Sequence, residues 1–506
     1  MRVLIWHGWL LEGSGSNVYA ARMAEELASA GHDVLLLCQE SHPERYGWID
    51  ASAAIGSAGP SELTRLRPSS SPGRCILLRP EIGMLLPVFV IDEYEGFDVK
   101  RFVELTPEEL DRYLTLNVEA LRAAARWHRS ELVIAGHAVP GAVVAKRALG
   151  KGGYVVGVHG SEIEYAMRAQ PRYRDLAGEG LRGARIVVGG SSDVLARCVE
   201  LVPGIEYLTR SIPPGVDITS FRPRPRRDAL LAVAARLEND LSAARGRPTT
   251  LDEEVERALT DRDAKALEDL ARTYDHDVPD PEAGTRLRDL AREDGPLVGY
   301  LGKLIPQKGV ELFIAATHLS TRDPVALVVG FGMYREWLTA LCIALRWADS
   351  DALAWLRDAG PMSAETSVPG HPSRVVFTGR LDHRYAPGAL AAMDVLVVPS
   401  ILPEAFGMVA AEGASAGALP LVARHSGLAE VSAALEDAVA RPGAFSFDPG
   451  PGAPRRIASG IDRLLSLPPG ERDALREGIS DFVAREWSWR RTVARFLRAA
   501  ALPLNH

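Results

Sequence analysis

Apolar residues in the first forty positions fall into blocks with two different periods. RVLIWHG is a continuous β-branched and aromatic run, GSGSN is turn chemistry, and HDVLLLCQ is a second continuous run. Between them, in VYAARMAEELASAG, the positions Tyr19, Met23, Leu27 and Ala30 recur every three or four residues before Gly31. A strand, a turn, a helix closed by a C′ glycine and a parallel strand make a βαβ unit. Strands without polar interruption belong to a sheet covered on both faces. The same grammar returns in ELVIAGHA, GGYVVGVHG and ARIVVGGSS, and again from Gly295 in PLVGYLGKL, ALVVGFG, RVVFTGR, VLVVPS and LPLVA. The fold expected is α/β, with two Rossmann-like doubly wound domains. Ligands of such sheets bind outside the carboxyl ends of the strands, where Gly, His and Ser collect in this chain.

Between the two series, residues 223–294 change character. They are rich in Arg, Asp, Glu and Ala, and carry helical spacings at Val255/Leu259, Leu267/Leu270/Tyr274 and Leu287/Leu290. Two or three amphipathic helices inserted at the interdomain linker are expected, with YDHDVPDPEAG as a solvated acidic loop rather than a metal site. The expected division is 1–222 for a first Rossmann-like domain, 223–294 for the helical insertion, 295–480 for a second Rossmann-like domain, and 481–506 for a terminal helix crossing back to the first domain. Trp487 and Trp489 on that last segment read as packing residues.

Composition narrows the class. The chain has 506 residues, 47% of them apolar, and a net charge of −8. That is enough for two or three cores and offers no positive field for nucleic acid or anionic lipid. Cys38, Cys75, Cys198 and Cys342 show no zinc or disulfide spacing, so buried thiols in a reducing compartment are expected. MRVLIWHGW lacks the plan of a leader, and no apolar run reaches the ~18 residues of a membrane span. A soluble, cytoplasmic protein without stable membrane insertion, bound metal or cofactor is the expectation.

Two stretches carry chemistry. Only six of the 58 basic residues are lysines, and two of them, Lys303 and Lys308, lie in GKLIPQKG after a strand and before a helical run. Compact ammonium charges between glycines suit phosphate oxygens, although the order of a Walker A loop is absent. EAFGMVAAE places Glu404 just before a small-residue helix and Glu412 about one turn inside it, with the first amides near Phe406 to Val409. Free amides receive anions and carboxylates accept from hydroxyls, so phosphate plus hydroxyls points to a nucleotide sugar.

These stretches, with GSGSNVY, VHGSE (158–162), IPPGVDITSFRP (212–223), VGFGMYRE (329–336), FTGR (377–380), HSGLAEV (425–431) and the terminal REWSWRRT, occur in an order that resembles GT-B retaining glycosyltransferases of the family 4 type. The resemblance spans nearly all of the chain except the insertion. It implies two domains facing across a cleft and transfer of a hexosyl group from a nucleoside diphosphate sugar, UDP-sugar favoured. By the same resemblance the acceptor attacks on the face the leaving group departs from; two ammonium groups and a helix N-terminus can stabilise the departing diphosphate without a metal, and no DxD-like metal signature stands at a strand end. Glu404 would hold the donor sugar, and Glu412 the ribose. Lys303 and Lys308 would grip the diphosphate with Gly302 and the amides of Phe406, Gly407 and Met408. Gly13, Ser14, Gly15 and Ser16 would close its other side, and Thr378, Gly379 and Arg380 would edge the base. His159 would sit near the sugar. His159, Glu404, Lys303 and Lys308 are thus the catalytic candidates; His159, like His7 and His137, also fits the role of a structural residue ending a buried strand. Lys303 stands where the family usually has Arg, which removes bidentate geometry from the grip.

Other readings of the same motifs are a nucleotide-sugar epimerase and a non-catalytic nucleotide-sugar-binding scaffold with a protein partner on residues 223–294. The acceptor is a small molecule or a glycan. GSGSNVY has some likeness to the loop of transferases acting on inositol phosphate, which adds a phosphorylated polyol to the acceptors considered.

Overall fold

The computed structural model describes the chain except residues 69–71, 91–93, 95, 275–276, 363–372 and 502–506. Two members of the YDHDVPDPEAG loop, 275 and 276, therefore lie outside the described residues. The chain forms two compact units, one of Met1–Gly215 with Trp489–His506, the other of Val216–Ser488.

In the first unit the strands are β1 (Arg2–Trp6), β2 (Asp33–Leu37), β3 (Ala51–Gly56), β4 (Gly59–Pro60), β5 (Thr64–Arg65), β6 (Arg74–Pro80), β7 (Leu85–Val88), β8 (Asp98–Arg101), β9 (Leu132–Gly136), β10 (Val155–Val158), β11 (Val187–Gly189) and β12 (Thr209–Ser211). The main sheet runs β12-β11-β10-β9-β1-β2-β6-β3-β4, with β5 on β3 and a separate β7-β8 pair. It is parallel except for the short β3-β4 and β3-β5 ladders. Strand order reverses between β1 and β9, which pair from Val3 on Leu132 to Trp6 on Ala135. Their central residues are buried because helices cover both faces, which is why they carry no polar alternation.

In the second unit, β13 (Leu297–Leu301), β14 (Val325–Val329), β15 (Val375–Phe377), β16 (Val395–Val398), β17 (Leu419–Ala423) and β18 (Ser446–Phe447) form an all-parallel sheet. Its order is β15-β14-β13-β16-β17-β18. The reversal here falls between β13 and β16, and β15 is an edge.

The charged segment folds as helices Arg226–Leu237, Asp252–Asp261, Ala264–Thr273 and Ala283–Leu290. Their apolar stripes, including Leu230, Leu237, Val255, Leu259, Leu267 and Leu287, join the core of the second unit. Burial of each contributes about 1.5–3 kcal/mol, so these helices are built into that domain. Polar anchors reinforce them: Arg247, 4% exposed, is held by Glu336, 1% exposed, at 2.8 Å.

The terminal segment is two helices, not the single one expected. Pro469–Glu486 ends at Trp487, and a second helix, Trp489–Ala501, follows Ser488. Trp487 packs edge-on against Phe406 and Phe482 in the second unit. Trp489 packs against Tyr19 in the first, with Gly215 pressed so close that a β-carbon there would lie 2.4 Å from the Trp489 Cα. Cys38, Cys75 and Cys198 are buried and Cys342 is half-buried, all as free thiols. Among the described residues no helix is long and apolar enough to cross a membrane, and no cluster of His, Cys, Asp or Glu could hold a metal ion.

Candidate active site

Each sheet gathers its polar residues where its strand order reverses, the place at which neighbouring crossovers diverge and leave the carboxyl ends open.

In the second unit the elements at that point are the loops after β13 and β16. Lys308 ends a short 3₁₀ turn after β13, and its ammonium meets Oε1 of Glu404 in the loop after β16. The Ser400 hydroxyl donates to the same oxygen at 2.6 Å. Burial alone would raise the Glu404 carboxyl, but the Lys308 charge, its hydrogen bond and that of Ser400 outweigh it and hold the group below the ordinary carboxylate range. Glu404 is therefore an anion fixed in one orientation.

The backbone holds the loop as firmly. The Glu404 N–H donates to Ser426 Oγ at 2.9 Å, and Gly427 N–H donates to the Glu404 carbonyl at 3.1 Å. His425 Nε2 lies 2.7 Å from the Ser400 carbonyl. The loops after β13 and β16 are joined as well, since Ile401 N–H donates to the Gln307 carbonyl at 2.9 Å. Gly407, at φ +103°, caps the helix Met408–Ala416. Phe406 is buried against Trp487 while Met408 is half-buried, so the loop is anchored by Phe406 with the first helical amides just beyond it.

The remaining candidates occupy neighbouring carboxyl ends. Gly302 donates its N–H to the Val329 carbonyl at 3.0 Å, and the Lys303 ammonium lies 5.5 Å from the centre of the Phe331 ring. Arg380, after β15, approaches the same ring at 5.9 Å. Thr378 is fully buried; its N–H donates to Val328 and its carbonyl accepts from Asp280, while the Gly379 carbonyl accepts from Gly330. Glu412, 8% exposed, faces the His383 ring instead, Nε2 to Oε1 3.8 Å. The structure thus joins Lys308 and Glu404 directly, lines up Lys303 and Arg380 along the strand ends, and sets Glu412 on a separate His383 contact.

The first unit has its own cluster. His7, His137 and His159 follow β1, β9 and β10, three adjacent strands, with ring centres 6.2 Å and then 4.7 Å apart. Glu162, fully buried, ties two of these loops together: it accepts from Ala138 N–H at 3.2 Å and His159 N–H at 2.9 Å, and lies 3.1 Å from His137 Nδ1. Burial would raise the Glu162 carboxyl, but His137 and the hydrogen bonds bring it down to about 2. His159 is pushed down to about 3, by burial first and His137 next, so its ring is neutral. His7 Nε2 lies 2.9 Å from Oδ1 of Asn17, an acceptor, which makes His7 the donor. Asn17 belongs to the helix Gly15–Ser29, whose cap is Ser14, with Ser16 Oγ 3.1 Å from Ser14 Oγ and Gly13 at φ +93° just before. The glycine loop and the histidine row are therefore linked through one asparagine.

Sequence reasoning did not single out Ser400, Ser426, Asn17 or Glu162. Glu162, Asn17 and Ser426 had a visible signal, lying within VHGSE, GSGSNVY and HSGLAEV; Ser400 is an ordinary polar residue until the fold brings it to the strand ends.

Residues 14–215 match the glycosyl transferase 4-like domain and residues 295–467 match glycosyl transferases group 1. The chain belongs to the group 1 glycosyltransferase family. An uncharacterized glycosyltransferase of Methanocaldococcus jannaschii is 28% identical over 200 residues, 39% of this chain and 43% of its own length. A 2-deoxystreptamine glucosyltransferase of Streptomyces kanamyceticus is 30% identical over 201 residues, 39% of this chain and 42% of its own. Each match spans under half of the relative. Sucrose-phosphate synthase of Thermosynechococcus elongatus superimposes with a TM-score of 0.58 at 18% identity, over 98% of this chain and 97% of the other. The Anabaena protein HepE, solved with UDP and glucose, does so at 0.57 and 14%, over 99% and 100%. At such identities these structures establish the fold, two α/β domains of the GT-B type.

Proposed function

We propose that this chain is a retaining glycosyltransferase that moves a hexosyl group from a nucleoside diphosphate sugar, UDP-sugar first among them, to a hydroxylated small molecule or glycan. The observation that carries the reading is the convergence of Lys308, Ser400 and Glu404 where the second sheet reverses, beside the helix that starts at Met408. Family membership and the UDP and glucose held by HepE support it.

In this reading the diphosphate lies over Lys303, Lys308 and the first amides of Met408–Ala416. As the glycosyl–phosphate bond breaks, negative charge builds on the leaving oxygen, and fixed ammonium groups and peptide dipoles stabilise it more than they stabilise the intact donor. That work is assigned to the chain's own groups, without a metal. Glu404, ionised and oriented, accepts from sugar hydroxyls, and Glu412 accepts from the ribose. The acceptor attacks on the face the diphosphate leaves, and a leaving phosphate oxygen takes its proton, so no protein base is assigned. Neutral His159, at the strand ends of the first unit, is a hydrogen-bonding group that adds no charge there.

Calorimetry with UDP and turnover assays test the reading. Glu412→Ala is expected to weaken UDP binding at least about fivefold, the loss of one or more hydrogen bonds to a charged acceptor. Unchanged UDP affinity in that variant would remove Glu412 from the site. An isomerised sugar without acceptor would favour an epimerase, and binding without turnover a scaffold.

A further inference from the structure

Residues 216–294 lie between the two family matches, yet part of this segment is laid against the strand ends of the second unit. Pro279 pairs antiparallel with Gly379. Asp280 N–H donates to the Thr378 carbonyl at 2.8 Å, and Arg380 N–H donates to the Val278 carbonyl at 3.0 Å. The segment thus extends past the edge strand β15 on its open side. It is pinned from below: Asp280, 2% exposed, accepts from Arg286 at 2.7 Å and lies 3.4 Å from Arg335, whose guanidinium stacks 3.9 Å from the Phe377 ring centre. Gly379 is shaped to this contact, since a β-carbon there would lie 2.5 Å from Asp280 N.

At the outer end of the segment, Asp277 accepts from Arg380 Nη1 at 2.6 Å, with its own carbonyl 3.3 Å from the same nitrogen. Arg380 is held with its guanidinium toward Phe331, the ring that Lys303 also approaches. A guanidinium offers donors and no acceptor. Fixed beside a base, it favours one that presents carbonyl oxygens, as uracil and guanine do, over adenine, whose exocyclic group is a donor.

We propose that residues 277–280 border the base end of the donor site and that Asp277, by orienting Arg380, selects nucleoside diphosphates whose base carries a carbonyl oxygen. The proposal rests on the donor-site reading, with the base edged by Thr378, Gly379 and Arg380 as the family resemblance implies. Asp277 is a positioning residue, and its exposed side chain makes truncation compatible with folding.

Calorimetry with UDP, GDP and ADP on the full chain tests it. The wild type is expected to bind UDP or GDP more tightly than ADP. Asp277→Ala should weaken the favoured nucleotide about threefold to fivefold, the range of a solvent-accessible ion pair, and leave ADP unchanged. Asp277→Glu should recover part of that loss. Asp277→Ala combined with Arg380→Ala should bind no more weakly than Arg380→Ala alone, because the two act as one unit. A UDP to ADP ratio equal to wild type in Asp277→Ala, or additive losses in the double variant, would overturn this proposal while leaving the donor site in place. Failure of the folded wild type to bind any of the three would overturn both.

Discussion

Half-buried Glu404 and buried His7 show two opposite ways in which a group acquires a fixed charge state. For Glu404 a cation and a hydroxyl converge on one oxygen and keep it ionised. Glu404→Gln keeps the shape and removes the charge, so turnover is expected to fall by about 100-fold or more while UDP affinity changes little, as for lost transition-state contacts in other sites. Equal losses in binding and turnover, seen by calorimetry beside steady-state assays, would move Glu404 to ground-state binding.

His7, 1% exposed, is held near pKa 3, by burial first and by His137 next. The unfolded chain takes up that proton near 6.5 and the folded chain only near 3. Stability from this group is complete above the upper value and is lost as pH falls through the window, by up to about 1.4 kcal/mol per pH unit. Unfolding midpoints from pH 7 to 4 should therefore decline, and His7→Gln should decline less steeply. Parallel curves would show that His7 does not carry the effect.

At the scale of elements, the loops at the carboxyl ends of the second sheet are set by backbone meeting backbone. A β-carbon on Gly427 would lie 2.6 Å from the Phe406 Cα, and one on Gly309 would lie 2.3 Å from the Pro399 carbonyl oxygen. Gly427→Ala is expected to destabilise the protein by about 1–3 kcal/mol, whereas Gly295→Ala, with open space around it, should stay within about 0.5 kcal/mol. Thermal unfolding of both variants checks this. Equal midpoints would mean the loops yield freely.

Much of this level was legible in the chain. Continuous apolar runs such as PLVGYLGKL and VLVVPS are strands because both their faces are covered, and that burial leaves a plain mark in composition. β3, made of ASAAIG, and β18, only two residues long, leave no such mark; their neighbours make them strands. Lys308 and Glu404 could be singled out because a charge beside glycine or at a helix start is locally odd. Their contact could not, since it closes across 96 residues through the strand reversal. The stitch of residues 278–280 to 378–380 was equally hidden: it is made of main-chain groups, which every residue type carries.

At the scale of the whole molecule, the helical segment's attachment to the second unit has an energetic signature. Arg247 and Glu336 are both buried, and Arg247 also meets Asp252 at 2.5 Å. Removing one partner of such a pair leaves a bare charge, so Arg247→Ala should cost about 3–5 kcal/mol, while Arg247→Met with Glu336→Leu should cost far less. Denaturant unfolding reads both. UDP should raise the same transition that Arg247→Ala lowers, because a ligand stabilises the domain that holds it. Separate transitions would place the nucleotide elsewhere.

The first unit is discontinuous in sequence, because Val493, Phe496 and Ala500 fill its core alongside Val3 and Leu27. On the ribosome, every residue of Val216–Ser488 emerges before the piece that closes the domain begun at Met1. The second domain can thus mature while the first still lacks one wall, and an early stop that spares every residue of Val216–Ser488 would still leave a greasy slot open to chaperones and proteases.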